Sequence, residues 1–315
     1  MGGFLNGIGG LYRRKVIYLK GSDEWIEAQY FSYKSNPCKE DTDNDEYTDR
    51  IDKRPKKKDV TLEGIKEDKD FLPISLSETW DGKWSGNNIA YGGDQSWWEK
   101  QDDKFAGSGC GIIAASNVLL YHSRNGKKLE EPIKKSQYCA YTNAVKKYTN
   151  YIPVVGGTMG LNIKKGINRY CKTQWLDYET DLEFSVFSEK KRAKTLKRIV
   201  SQVKKNRPVI LSIGPKVLGK VDESKKVLAY QKGDSTLISF SKAKYYNKEE
   251  EKYEDLTIAD HYITVTGVVI NKQTDTIKLQ ISSWGEKYYI DFGEICKYVD
   301  FYKNSWTCDA VYVSN

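Results

Sequence analysis

The chain has 315 residues, a length that can bury a hydrophobic core without disulfide bonds. Apolar residues make up 39% of it, which excludes global disorder, and no apolar run approaches the roughly 18 residues of a membrane-spanning helix. The net charge of +8 permits attraction to polyanions, but no nucleic-acid-binding motif accompanies the basic runs. We therefore expect solvated lysine faces, no nucleic-acid partner and no membrane span.

The first sixty residues contain a predicted strand at 15–19 and then an acidic loop. Oxygen ligands fall at positions 1, 3, 5, 7, 9 and 12 of a window that starts at residue 41, and this spacing lets one loop wrap a calcium ion. Glu46 replaces the glycine that normally makes the sharp turn of such a loop, so we expect weak affinity. The predicted ligands are Asp41, Asp43, Asp45, the carbonyl of Tyr47, Asp49 and Asp52.

This loop resembles the Asp-rich calcium repeats of bacterial surface proteins and of thrombospondin type 3 modules. The resemblance implies a small calcium-binding module over residues 1–60, in which calcium is structural. The charged segment after it predicts a linker and lead-in over residues 61–84. Because cytosolic calcium is too low for a weak site, we expect a secreted or cell-surface protein. The start of the chain lacks a signal-peptide pattern, so we expect a mature form or a piece of a longer exported protein.

A cysteine between glycines opens the most apolar stretch of the chain. Gly109-Cys110-Gly111 precedes an apolar run that reaches His122, which predicts a buried helix of about 12 to 14 residues. Cys110 then lies at the positive end of that helix, where a thiolate nucleophile is favoured. Upstream, the Gly- and Trp-rich segment 91–98 predicts an ordered loop that contains Gln95.

The elements after this helix follow from hydrophobic periodicity. Further helices are predicted at 134–148, 161–170 and 190–205, and the last of these has an apolar stripe at helical spacing. The charged segment 248–255 is expected to be an exposed loop. Strands are predicted, from β-branched content and alternation, at 209–213, 262–270, 276–283, 288–292 and 310–313.

The chain has only two histidines that could pair with a catalytic cysteine. His122 lies at the far end of the Cys110 helix, roughly 18 Å away at 1.5 Å per residue, which is too distant. His261 opens a predicted strand about 150 residues after Cys110, near the spacing expected for papain-type enzymes. The sequence therefore pairs Cys110 with His261.

Three motifs in this order resemble papain-like cysteine peptidases. The first is Ser108-Gly109-Cys110-Gly111 with its buried helix, and the second is the strand from Asp260-His261 to Gly267. The third is Ser282-Ser283-Trp284-Gly285, which resembles the Asn-Ser-Trp-Gly motif of that family. The resemblance covers roughly residues 85–313, and it is nearest the bacterial branch that includes double-glycine (bacteriocin-leader) peptidases.

The resemblance implies an α+β, two-lobed papain-like domain over residues 85–315, with a helical lobe that contributes Cys110 and a β lobe that contributes His261. Cys110 would attack a peptide carbonyl and His261 would move the proton. The residue that orients the imidazole in the family aligns with Ser282, and neighbouring Ser283 is the alternative. For the oxyanion hole, Gln95 is preferred and Gln101 is second, because Lys104 occupies the usual glutamine position.

Three other functions stay open from the residues alone. A related thiol amidase could act on peptidoglycan stem peptides rather than on protein substrates. A non-catalytic surface or adhesion protein could retain the fold with a degenerate triad, since serine replaces the usual Asn or Asp. A nucleic-acid binder that uses the basic faces would show steep salt dependence. The sequence does not define the substrate residue at the cleavage site or the oligomeric state.

Overall fold

The computed structural model describes residues 60–84, 87–124, 126–127, 129–149, 158–213, 261–272, 274–293, 295–296 and 308–314, and the backbone of short strands outside these ranges. The chain divides into two compact units. The smaller comprises Met1–Thr61 and Ile270–Asp275, and the larger comprises Leu62–Val269 and Thr276–Asn315. All the predicted catalytic residues belong to the larger unit.

The five α-helices whose bounds are given below lie in the first two thirds of the chain, and residues 292–293 and 295–296 are also helical. Two short 3-10 turns, Asp68–Asp70 and Gln95–Trp98, accompany them. The bounds of the α-helices are α1 Asp103–Ser108, α2 Cys110–Ser123, α3 Lys135–Lys146, α4 Gly160–Thr173 and α5 Arg192–Lys204.

The strands are distributed along the whole chain and concentrate in its final third. They are β1 Arg14–Tyr18, β2 Trp25–Gln29, β3 Val60–Gly64, β4 Pro73–Ser75, β5 Ile89–Tyr91, β6 Ile133–Lys134, β7 Glu179–Glu183, β8 Val209–Ile213, β9 Leu228–Ala229, β10 Gln231–Gly233, β11 Phe240–Lys242, β12 Lys244–Asn247, β13 Lys252–Asp255, β14 Thr257–Ile258, β15 His261–Asn271, β16 Thr276–Ser283, β17 Glu286–Asp291 and β18 Ala310–Ser314.

One nine-stranded sheet dominates the larger unit. Its order is β11-β10-β17-β16-β15-β8-β18-β7, and β3 pairs with β15 outside this path. Pairings of β16 with β17, β15 with β8, and β18 with β8 and β7 are antiparallel. A three-stranded sheet, β5-β4-β6, contains one parallel pair, β4 with β6. The protein is thus a mixed α+β structure built on antiparallel sheets, which confirms the α+β class.

Helix α2 forms the centre of the hydrophobic core. Its residues from Gly111 to Leu119 are all buried, as the continuous apolar run predicts. The helix packs against α3, α4 and β8. The predicted helices and strands of the described residues are confirmed, with ends that differ by up to three residues from those expected. None of the described helices is both long enough and apolar enough to cross a membrane.

Two segments differ from expectation. Residues 61–84 are not an isolated linker, because β3 joins the main sheet and Phe71, Leu72 and Ile74 are fully buried. The neighbouring charges hid this short apolar cluster in the sequence. The segment 248–255 ends in strand β13 rather than remaining a loop throughout, since its backbone pairs with β12.

His122 is a buried histidine near the C-terminal end of α2. Its ring lies between those of Tyr121 and Tyr178, at centroid distances of 6.1 and 5.5 Å. Burial, reinforced by the charge of Arg207, lowers the pKa of His122 to about 4. Its Nε2 atom is buried without a hydrogen-bond partner among the described residues. The ring is therefore neutral in the folded protein at pH 7.

We expect the folded protein to lose stability on acidification because of His122. Between about pH 6.5 and pH 4 the unfolded chain protonates this ring while the folded chain does not, so the free energy of unfolding falls as the pH falls. The loss attributable to His122 is about 2 to 3 kcal/mol between pH 7 and pH 4.5. Urea denaturation of the wild type and of His122→Phe at the two pH values measures it. Equal losses in the two proteins would show that His122 is not responsible.

Candidate functional site

Cys110 is the first residue of α2, directly after a sharp junction with α1. Gly109 makes this junction, and a Cβ atom there would lie 2.6 Å from the carbonyl oxygen of Phe105. The carbonyl of Gly109 accepts the first helical hydrogen bonds of α2, from the backbone N–H groups of Ile112 and Ile113. Cys110 is half-buried and is present as a thiol. The positive end of a fourteen-residue helix therefore faces the sulfur, where it stabilises negative charge.

Gly111 keeps the next position of the helix open to the sheet. A Cβ atom at Gly111 would lie 3.0 Å from Cδ1 of Ile163 and 3.3 Å from Cδ2 of Tyr262. Tyr262 directly follows His261 on β15. The glycine after the cysteine thus lets the start of α2 approach the strand that begins with the histidine.

His261 is the first residue of β15 and is 7% exposed. Its Nε2 atom lies 2.8 Å from the Oγ atom of Ser283. The indole of Trp284 stacks on the imidazole, with centroids 4.5 Å apart and an interplanar angle of 17°. One hydroxyl and one aromatic face therefore fix the orientation of the ring.

The hydroxyl of Ser283 and the indole of Trp284 both lie at a tight hairpin turn. Trp284 and Gly285 are the two residues between β16 and β17, and both have positive φ, 47° and 71°. Two consecutive residues with positive φ are typical of a type I′ turn, which joins antiparallel strands directly. Tryptophan is unusual in this conformation, and such local strain is concentrated at functional sites. The turn places the indole of Trp284 against His261.

Burial lowers the pKa of His261 to about 3. The imidazole is therefore neutral at pH 7 and able to accept a proton. Because Ser283 offers a hydroxyl rather than a carboxylate, its side chain adds no negative charge to stabilise an imidazolium. The lowered pKa disfavours the imidazolium, so a standing thiolate–imidazolium ion pair is disfavoured at this site.

The predicted site residues meet in one pocket. Cys110, at the head of α2, and His261, at the head of β15, both line it. It also contains Gln95, so the preferred oxyanion-hole residue lies on the same pocket as the thiol. Gln101, the second choice, is exposed and is not among the lining residues. The remaining lining residues are Ile113, Ala114, Asn117, Tyr262, Thr264, Ser282, Ser283 and Trp284.

The sequence predicts that Ser282 orients His261, but the structure places a different serine against the imidazole. The Oγ atom of Ser282 donates to the carbonyl of Tyr91 at 2.6 Å and accepts from Nδ2 of Asn117 at 3.4 Å. Ser283, the alternative, is the residue within hydrogen-bond distance of the imidazole. Successive side chains of a strand point to opposite faces, so only one of two adjacent serines on β16 can lie against the ring.

The loop that contains Gln95 is held in place by glycines. A Cβ atom at Gly93 would lie 2.2 Å from the hydroxyl oxygen of Tyr138. The backbone N–H of Gly93 donates to Oδ1 of Asn117 at 3.0 Å, and its carbonyl accepts from the N–H of Gly285 at 3.1 Å. Gln95 then begins a 3-10 turn, Gln95–Trp98. Because these contacts leave little space, the loop has a fixed position beside α2.

Asn117 is the residue at this site that the sequence reasoning missed. It lies in the apolar run of α2, yet it is 1% exposed and its side chain forms hydrogen bonds to four residues. An asparagine inside an otherwise apolar helix was the available signal, because a buried amide must find hydrogen-bond partners.

The six predicted calcium ligands, Asp41, Asp43, Asp45, Tyr47, Asp49 and Asp52, lie outside the described residues. Within the part of the chain that the structure describes, no group of three or more His, Cys, Asp or Glu residues could hold a metal ion. The calcium loop therefore stays a prediction from the sequence.

Comparison with known proteins gives no family assignment, since neither a protein-family model nor a curated protein matches the chain. Any function therefore has to be argued from the geometry of the pocket.

We expect Gly93→Ala to destabilise the protein by about 1 to 3 kcal/mol, because the new methyl group would overlap the Tyr138 side chain. Urea denaturation measures the loss. Gly107→Ala is the matched control, since a Cβ atom at Gly107 meets nothing within 4 Å and Gly107 lies within helix α1. That substitution should be neutral or stabilising by up to about 1 kcal/mol. A similar loss in both variants would contradict the packing described for Gly93.

Proposed function

We propose that this protein is a cysteine peptidase of the papain-like type, in which Cys110 is the nucleophile and His261 the general base. The observation that supports it most directly is the shared pocket, which contains the thiol at the head of α2 and the imidazole at the head of β15. A nucleophile beside a base that is oriented by a third group is the general arrangement for covalent acyl transfer. Here the third group is Ser283.

The proton path follows from the contacts of the imidazole. In the proposed tautomer His261 has its proton on Nε2 and donates it to Oγ of Ser283, 2.8 Å away, so the lone pair of Nδ1 is left to accept the thiol proton. The sulfur of Cys110 adds to the carbonyl carbon of the peptide as Nδ1 takes this proton. His261 returns the proton to the departing amine nitrogen when the peptide C–N bond breaks. Water then hydrolyses the thioester, and the free thiol is restored.

Negative charge on the carbonyl oxygen needs donors during this addition. The backbone N–H of Cys110 and the side-chain amide of Gln95 are the groups we assign to this role. Gln95 lines the pocket, and its loop is anchored to α2 through Gly93 and Asn117. Preorganised donors of this kind are effective because they do not need to reorient as charge develops.

The two-lobed papain-like arrangement belongs to the same proposal. Helices α2, α3 and α4 pack together on the side of the cysteine, and β15, β16 and β17 are neighbours in the sheet on the side of the histidine. An extended peptide would bind between them. An N-terminal calcium-stabilised module and a secreted or surface location complete the proposal, and both rest on the acidic loop in the sequence.

We expect Cys110→Ser to abolish hydrolysis of an unfolded protein substrate such as fluorescently labelled casein, with a loss of at least about 1,000-fold. Cys139→Ser is the matched control, because Cys139 is a half-buried thiol whose pKa is raised by burial. It should retain activity, and iodoacetamide should label Cys110 faster than Cys139 in the wild type.

Three results would contradict this proposal. Casein cleavage that survives Cys110→Ser would exclude the assigned nucleophile. Release of peptidoglycan fragments from purified cell walls, without casein cleavage, would indicate the cell-wall amidase instead. If the wild type shows neither activity and its Cys110 has the reactivity of an ordinary thiol, the non-catalytic surface protein is the correct alternative.

The two serines should have different effects on activity. Ser283→Ala removes the hydrogen bond to the imidazole, so we expect kcat/KM to fall about 10- to 100-fold with little change in stability. Ser282→Ala leaves that bond intact but removes the bonds to the Tyr91 carbonyl and to Asn117, so its main effect should be a loss of about 1 to 2 kcal/mol in unfolding free energy. Casein kinetics and urea denaturation of both variants measure this. A larger kinetic defect in Ser282→Ala would restore Ser282 as the orienting residue.

A further inference from the structure

We infer that Asn117 is a positioning residue that sets the thiol, the imidazole and the Gln95 loop at fixed distances from one another. This inference rests on the proposed function. Asn117 is too deep to be an ordinary surface amide, since it is 1% exposed. Its role would be exerted through the residues that it contacts.

The amide of Asn117 has all four of its hydrogen-bonding positions occupied. Its Oδ1 atom accepts from the backbone N–H of Gly93 at 3.0 Å and from the hydroxyl of Tyr138 at 2.7 Å. Its Nδ2 group donates to Oγ1 of Thr264 at 3.3 Å and to Oγ of Ser282 at 3.4 Å. A side-chain amide offers two donors and two acceptor positions, so this one is fully satisfied. We call these five residues the Asn117 cluster.

Asn117 occupies the face of α2 that begins with Cys110. It follows Cys110 by seven residues, which is two helical turns, so both side chains lie on the same face. Ile113 and Ala114 lie between them on this face, and all four residues line the pocket. The position of the Asn117 amide is therefore rigidly related to that of the sulfur.

Three partners of Asn117 are close in sequence to the other groups of the proposed site. Gly93 precedes Gln95 by two residues, Thr264 follows His261 by three on β15, and Ser282 directly precedes Ser283 on β16. One amide thus connects the elements that contribute the thiol, the base, the group that orients the base and the proposed oxyanion donor.

Close packing leaves the Asn117 cluster little freedom to shift. A Cβ atom at Gly92 would lie 2.4 Å from Oγ of Ser282 and 3.0 Å from Nδ2 of Asn117. The backbone therefore passes directly over these polar atoms, and Gly92 has a φ of 80°, a conformation that favours glycine. Small errors in the placement of a catalytic group reduce rates strongly, so this rigidity has catalytic value.

Asn117→Leu tests the inference, because leucine has the same number and branching of side-chain heavy atoms and none of the hydrogen bonds. We expect kcat on casein to fall about 10- to 100-fold with KM nearly unchanged. Ser116→Ala is the matched control on the same helix, since Ser116 is fully buried and its hydroxyl has no hydrogen-bond partner among the described residues. It should keep wild-type kcat.

A second measurement needs no peptide substrate and so separates this inference from the proposed function. The iodoacetamide alkylation rate of Cys110 is compared in the wild type, in His261→Ala and in Asn117→Leu. If Asn117 holds the thiol near the imidazole, Asn117→Leu should reduce the rate to that of His261→Ala. A folded Asn117→Leu protein that reacts at the wild-type rate would overturn the inference, whether or not casein is cleaved.

If Asn117→Leu does not fold, the milder variant Thr264→Val tests whether Asn117 has a positioning role. It removes only the bond between Asn117 and β15. We expect a loss of about 3- to 10-fold in kcat and in the alkylation rate of Cys110. Wild-type values for both would show that the link from Asn117 to the histidine strand has no positioning role.

Discussion

The larger unit depends on the hydrogen bonding of one buried amide. Asn117 lies inside an apolar helix at the centre of the core, where an unsatisfied amide would be costly. Its four hydrogen bonds draw in the Gly92-Gly93 loop, α3, β15 and β16. A fully satisfied polar network specifies one arrangement of its elements, whereas apolar contacts alone tolerate sliding. The pocket between Cys110 and His261 is lined by the same helix and the same strands.

The surroundings of His261 favour a particular kind of acid–base chemistry. Burial lowers its pKa, a hydroxyl rather than a carboxylate contacts Nε2, and the indole of Trp284 covers one face. Burial is the feature that favours the neutral ring. In the proposed mechanism, such a base would hold its charge only briefly, as the thiol proton passes through it to the leaving group. The serine in the third position is thus consistent with a neutral resting pair and need not indicate loss of function.

The sequence predicted the elements whose pattern is set by local burial. The run after Cys110 and the strand at 209–213 were found because almost every position in them is apolar or small. Ser283 could not be distinguished from Ser282, because the face of a strand on which a residue lies depends on pairing and on the turn at Trp284 and Gly285. Asn117 was missed for a similar reason. Its partners lie 21 to 165 residues away, and sequence periodicity carries no information about them.

The Asn117 cluster also has a consequence for how the molecule matures. Its bonds to Thr264 and Ser282 close loops of 147 and 165 residues, so they form only after much of the chain has been synthesised and collapsed. Until then the thiol at residue 110 has no neighbouring base. In the proposed mechanism, a nascent or partly folded chain would therefore be unable to attack itself or its neighbours, and activity would appear only with the native state.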